Sequence, residues 1–481
     1  MAGIAAFARL YLVKKSKCRR TEPVHLLLRS QAMASGKALK HKVSLVVLLL
    51  GSCISLYWGV SLQRSVPGGM MGFPGIYYGT RCLLHGCDPY NPAQLQRFDE
   101  VEGYPYAAGS PERRESISLY VNLPGTFLVV APFALLSPGP AHVAWSALVI
   151  GSFLLAAYLM WRIGVSYAPG IALFLGFILL SNCEILFAGG NSAGIVVSFS
   201  IIAVWCFLKN RFVVAGVVCL AIALVIKPHD AGLIWLYFLI AGGLNRKRAL
   251  QVIAVAAAFV AAAVLWLSLV APHWIAEYRT NLATISAPGG INEPGPYSTG
   301  VSTPDMVIDL QTVISVFTRN SHVYNLVTYL ICGLVFLLWA IAVVRSQFSP
   351  QRAWFALVAV AALSMLVTYH RSYDAKLLLL SVPACAMLWS RGGRVAWLAL
   401  LISTAGVFFT GDIPLAILIL ATKGLHTYTR GLTGNLFALV LSRPAPLILL
   451  ITAVFYTWAF ARGYSAHETP VMTGPGDTPA S

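Results

Sequence analysis

GFPGIYYGTRCLLHGCDPY, residues 72–90, follows the first long apolar run of the chain and breaks with it. The run His41–Leu62 is almost entirely apolar, whereas residues 72–90 are aromatic, turn-rich and carry Arg81 and Asp88. A polar island after a membrane-length segment reads as the first loop outside the bilayer. Once the later apolar runs are counted, most of the other polar islands fall on the same side. The stretch therefore reads as one wall of a candidate site, and the rest of the chain is read for what it supplies to that wall.

Composition sets the class. Of 481 residues, 58% are hydrophobic and 11% charged, and the mean hydropathy is +0.74. A soluble domain carries roughly a quarter charged residues, so this is an all-α polytopic membrane protein. Much of the formal net charge of +17 lies at one end, in the ten Lys and Arg from Arg9 to Lys42, against Glu22 alone. Such a basic segment places the N-terminus in the cytoplasm and is drawn to anionic lipid; nucleic-acid binding is not expected. His41–Leu62 exceeds the ~7–15 residues of a signal-peptide core, so it reads as a retained helix. Six cysteines sit in apolar runs as small hydrophobes. Cys82 and Cys87 share the first loop, where a disulfide forms if the compartment is oxidising.

A crossing takes roughly 17–25 residues. Helices are expected near 43–62, 141–161, 169–187, 191–208, 212–226, 230–243, 249–271, 323–344, 353–368, 375–390, 395–410, 412–422 and 445–461. This gives three parts: a basic cytoplasmic segment over 1–42, a transmembrane domain over 43–463 and a polar, disordered tail over 464–481. Leu119–Pro138 is apolar but broken by Pro124, Gly125 and Pro132. If it crossed, most of the later Lys and Arg clusters would lie outside, so it is expected to be re-entrant or juxtamembrane. The outer face then collects the loops 63–118 and 272–322, Gly189–Gly190–Asn191, Lys227–Pro228–His229–Asp230 and Tyr369–Asp374.

Chemistry is sought among these polar groups. Asp88, Asp99 and Glu100 are candidate general bases for an acceptor hydroxyl, although for any single one of them a solvated loop charge is the stronger reading, and an Asx turn alone explains Asp88–Pro89–Tyr90. Tyr77, Tyr78, Arg81 and Tyr90 are candidate ligand-binding groups in the same loop. Lys227 and His229 interrupt an apolar run, where a charge at bilayer depth usually faces protein or a water-filled site and suits a phosphate. His370, Arg371, Tyr373 and Asp374 form the densest ionisable boundary, with Arg371 placed to grip a phosphate and Asp374 to orient it. Asn191 reads as a helix cap whose amide could also reach a ligand. No spacing marks a metal site. Clustered acidic ligands for Mg²⁺ or Mn²⁺ would have to come from the loop, so metal dependence stays open.

The order of F-P-x-x-Y-Y-x-x-R-x-L-L-x-G-x-D-P-Y, an L-P/A-P segment, G-G-N, K-P and R-x-Y-D-x-x-L-L-L-L resembles bacterial GT-C-type glycosyltransferases of family 87. The resemblance covers roughly residues 70–390. It implies a GT-C-like bundle of about 12–13 helices in a bacterial cytoplasmic membrane, with its active face external. It further implies a hexose, mannose first, carried from a polyprenyl-phosphate donor to a lipid or glycan acceptor with inversion. The lipid-linked sugar is substrate, no cofactor is certain, and a divalent metal stays open. Lys227, His229, His370 and Arg371 would stabilise the leaving phosphate. Gly72 stands where the family is expected to carry its base, an Asp. Either Asp88, Asp99 or Glu100 replaces it, or the acceptor needs no base, or the chain only binds or translocates a lipid-linked glycan.

Overall fold

The computed structural model of the chain describes residues 42–61, 72–102, 119–287, 290, 292–294, 307–414, 417, 439 and 443–464. The basic segment up to Lys40, Tyr297 and the polar tail beyond Tyr464 lie outside the described residues, as does most of the expected span 412–422. Among the described residues there is no strand, only one isolated antiparallel bridge between Val307 and Arg371.

The helices in chain order are α1 (Lys42–Ser61), α2 (Gly72–Leu84), α3 (Pro92–Glu102), α4 (Gly125–Ala134), α5 (Pro138–Val165), α6 (Pro169–Leu180), α7 (Glu184–Gly189), α8 (Ala193–Leu208) and α9 (Val213–Ile226). They continue with α10 (Pro228–Ile240), α11 (Gly243–Val270), α12 (Trp274–Ser286), α13 (Leu310–Ile314), α14 (Ser321–Arg345) and α15 (Pro350–Val367). A 3₁₀ helix over Asp374–Leu380 leads into α16 (Ser381–Trp389), followed by α17 (Gly393–Phe409) and α18 (Pro444–Ala461). Among the described residues α1, α5, α11, α14, α15 and α18 are long and apolar enough to cross a membrane. The protein is a multi-pass membrane protein.

Local chemistry explains where these helices start. Proline occupies the first turn of α5, α6, α10, α15 and α18, where its missing N–H is no loss and its fixed φ suits a helix. Gly242 and Gly392, at φ of 75° and 72°, turn the chain into α11 and α17. α15 is the central helix: 78% of its apolar window is buried inside the protein, against 22% for α11. Its sequence is correspondingly rich in alanine, which lets α10, α14 and α18 approach closely. α11 leaves Leu250, Leu265 and Leu269 exposed, the surface a lipid-facing helix presents.

Three expectations are corrected. Residues 72–84 form a helix, not an open loop: Phe73, Ile76, Tyr77, Thr80 and Leu83 recur at helical spacing and are all buried. Pro74, Gly75 and Gly79 read as turn residues, yet Pro74 falls in the first turn, where a helix tolerates it. The run 169–187 is broken at residues 181–183 into α6 and α7. The run 375–390 begins as a 3₁₀ helix before becoming α16. Within Leu119–Pro138 the helical part, α4, has 10 residues. That is about 15 Å, half the hydrocarbon thickness. The loop 272–322 contains α12 and α13.

Candidate active site

α9 and α10 would be one helix were it not for Lys227–Pro228. Lys227 sits at φ −140°, ψ 85° and serves as the last cap of one helix and the first of the next. Proline after it disfavours α geometry at Lys227 and restarts the helix at Pro228. This break turns Lys227 towards the segment that leaves the central helix α15. Its Nζ lies 2.8 Å from Asp374 Oδ1 and 3.9 Å from Asp230 Oδ2, and 5.0 Å from the centre of the Tyr373 ring.

The other half of the site is Thr368–Asp374. Asp374 Oδ2 accepts the Arg371 backbone N–H at 3.0 Å, closing the turn that presents the Arg371 side chain. The Arg371 guanidinium lies over the Tyr369 ring at 5.5 Å. His370 is fully buried; its Nδ1 is 2.8 Å from Thr368 O and its Nε2 2.7 Å from Asp230 Oδ1. The His229 ring meets the His370 ring edge-on at 4.9 Å. Burial disfavours the charged imidazole of His370, but the facing Asp230 carboxylate outweighs this and holds its pKa above the ordinary histidine value. From the far side, Ile308 N–H donates to His370 O at 2.9 Å. The end of the loop 272–322 is thereby a wall of the site.

The cluster is layered. Asp230, His370 and Asp374 are buried, whereas His229 is exposed and Lys227, Tyr369, Arg371 and Tyr373 are partly so. The accessible layer is cationic and aromatic, and the carboxylates lie beneath it. Such an arrangement fits an anion with an adjoining ring or chain, with Lys227 and Arg371 as its counter-charges. Sequence inspection singled out every member except Asp230 and Tyr369 as a site residue. Asp230 was visible as part of a K-P-H-D run, but only folding sets it opposite His370.

The first stretch behaves differently. Tyr77 O–H donates to Leu136 O at 2.8 Å. Arg81 donates to Ala134 O and Leu136 O, each at 3.2 Å, and pairs with Glu102 at 2.7 Å. It caps the carbonyl end of α4. Tyr78 is fully buried. The Tyr90 ring is enclosed by Tyr120, Phe127, Trp274 and Tyr278, and its O–H donates to Asn122 O at 2.6 Å. Asn281 Nδ2 donates to Tyr90 O at 2.8 Å and Tyr120 O at 3.1 Å, seating α12 on this turn. Cys82 and Cys87 form a disulfide just beyond.

The candidate bases are placed as follows. Asp88 Oδ1 accepts the Tyr90 N–H at 2.9 Å, the expected Asx turn. Burial, the largest influence on it, raises the pKa of its carboxyl. Asp99 is buried in α3, and Glu100 is exposed and accepts from Gln96 Nε2 at 3.1 Å. Asn191 Oδ1 accepts the Ala193 N–H at 2.9 Å at the start of α8, close to the capping role expected of it. Gly72 packs directly on that turn: a Cβ there would stand 2.6 Å from Asn191 Cα and 2.7 Å from Gly189 O.

No curated protein and no solved structure matches the chain. The family model of glycosyltransferase family 87 matches residues 120–368, starting after the 72–90 stretch and stopping two residues short of His370. It takes in α4, the G-G-N turn, the Lys227–Asp230 break and the whole central helix, half of the chain. The chain belongs to glycosyltransferase family 87, a family of membrane glycosyltransferases.

Proposed function

We propose that the chain transfers a hexose, mannose in first choice, from a polyprenyl-phosphate donor to a lipid or glycan acceptor. The reaction takes place at the external face of a bacterial cytoplasmic membrane and inverts the anomeric carbon. The observation that carries this reading is the cationic and aromatic layer of Lys227, His229, Arg371, Tyr369 and Tyr373 over buried carboxylates. In the transfer the bond from C1 to the phosphate oxygen breaks, and its electron pair goes to the phosphate. The acceptor hydroxyl bonds to C1 and gives up its proton. Lys227 and Arg371 stabilise the charge that develops on the phosphate, where preorganised donors count most. Asp88 is the first choice for the proton, ahead of Asp99 and Glu100, because its raised pKa brings it nearer to the working pH of a base. The Cys82–Cys87 disulfide supports an oxidising compartment on this side.

The test is transfer of label from polyprenyl-phosphate mannose to membrane lipids. Lys227→Ala and Arg371→Ala are each expected to lower the rate per folded protein by about 10²- to 10³-fold; Lys227→Ala also leaves the buried Asp374 without its cation and lowers stability. A folded wild type that neither binds nor consumes any polyprenyl-phosphate sugar would overturn the reading. A second reading, binding or translocation of a lipid-linked glycan without transfer, is favoured by Gly72. Its contact with Asn191 and Gly189 leaves no space for a side chain at that position. Donor binding without turnover would select it.

A further inference from the structure

We infer that His229, Asp230 and His370 form a binding site for a divalent transition-metal ion of the zinc type, set beneath the Lys227–Arg371 layer. Asp230 lies at the centre of this group. Its side chain is fully buried, and neither carboxylate oxygen receives a hydrogen bond of acceptable direction. Lys227 Nζ stands 3.9 Å away, too far to donate, and is already bonded to Asp374 at 2.8 Å. Lys227 and His370 face this carboxylate as ion-pair partners without a directed hydrogen bond, which leaves its oxygen lone pairs available to a cation.

His370 points to what the cation is. Its Nδ1 faces the Thr368 carbonyl at 2.8 Å. A carbonyl only accepts, so Nδ1 carries a proton, and Nε2, whose own proton a dication at Asp230 would displace, is the nitrogen left to bind it. Nε2 lies 2.7 Å from Asp230 Oδ1, yet the directions at the two atoms are not those of a hydrogen bond. An outer hydrogen bond from one ring nitrogen to a backbone carbonyl is how proteins orient a metal-binding histidine.

His229 completes the set. The three ligand atoms lie within 4.8 Å of one another. An ion bonded at about 2.1 Å to each tolerates ligand separations up to about 4.2 Å. The exposed ring of His229 closes the difference by side-chain rotation. Two imidazoles and one carboxylate are the donor set of open zinc sites, in which a fourth position is left for water or substrate. The fourth ligand here is a phosphate oxygen. Lys227, Arg371 and a dication against Asp230 and Asp374 leave the site net positive, which suits a phosphate. This inference deepens the proposed transferase, since the ion would take up charge on the same leaving group, but its test does not pass through activity.

The full-length protein in detergent is stripped with a chelator, reloaded with Zn²⁺ and desalted, and its metal content is measured per chain. A second sample is loaded with Co²⁺ and its visible absorption recorded. The expected result is one ion per chain and the absorption of four-coordinate Co²⁺. His229→Ala, which changes an exposed side chain and spares the fold, is expected to weaken metal affinity by at least the ~10–100-fold that loss of an outer-shell partner costs. Asp230→Asn should do the same. Folded wild type that retains no Zn²⁺, or binds it no better than His229→Ala, overturns the metal site even if transfer proceeds. Metal bound at this site in a protein that transfers no sugar upholds the site and removes the transferase reading instead.

Discussion

Two polar regions of this chain, 72–90 and the pair of segments 227–230 and 369–374, look alike as sequence and differ in what their polar atoms touch. In the first, the polar side chains of Tyr77, Arg81 and Tyr90 end on backbone carbonyls of neighbouring elements, and the aromatic rings are enclosed. They fasten α2, α4 and α12 together. In the second, the buried members pair with one another, and the accessible members offer charge and ring faces outwards. A membrane interior uses polar groups both to join helices and to hold ligands. Partners, not composition, tell the two uses apart. Asp88 apart, the motif that first draws the eye is scaffold, and the proposed anion-binding layer lies where the central helix ends.

The sharpest test of this contrast is Asp374→Ala. It removes the acceptor of Lys227 Nζ and of the Arg371 N–H, leaving a mostly buried lysine with only the Asp230 carboxylate, 3.9 Å away, to compensate it. Such a change costs about 3–5 kcal/mol. Thermal unfolding in detergent should show it as a large drop in midpoint, and transfer should fall further than the loss of folded protein explains. A midpoint equal to wild type would mean that Lys227 does not depend on Asp374.

Next in size is Gly72→Asp, the substitution that would restore the acid expected from family resemblance. Its Cβ would meet backbone atoms of Asn191 and Gly189, which cannot swing aside as a side-chain tip would. Overpacking of this kind costs about 1–3 kcal/mol. The variant is expected to be less stable and no more active. A gain in transfer without a fall in midpoint would show that α2 starts differently when donor is bound.

The smallest effect is expected for Arg81→Ala. It frees the partly exposed Ala134 and Leu136 carbonyls and the Glu102 carboxylate, at about 1 kcal/mol. Measured on the folded fraction, transfer should stay near wild type, because Arg81 spends its donors on α4. A rate lowered by the factor expected for Arg371→Ala would place Arg81 in the site and erase the contrast between the two regions.

The sequence by itself determined the class, most helix positions and the residues to watch. Long apolar runs with few charges leave a chain little choice but helices in lipid, because every backbone polar group must be satisfied within the segment. The break at Lys227–Pro228 was legible because proline acts locally. The Lys227 and His370 clusters stood out because ionisable groups are costly at bilayer depth. Tertiary structure alone decided which side chains meet. That Asp230 faces His370 across a 140-residue separation in the chain, that Lys227 answers Asp374 and that Arg81 caps α4 depend on helix packing, which no local pattern encodes. It also decided that residues 72–84 are helix: their proline and glycines favour a turn, and burial of Tyr77, Leu83 and of Phe73 against His142 and Trp145 of α5 outweighs that local preference.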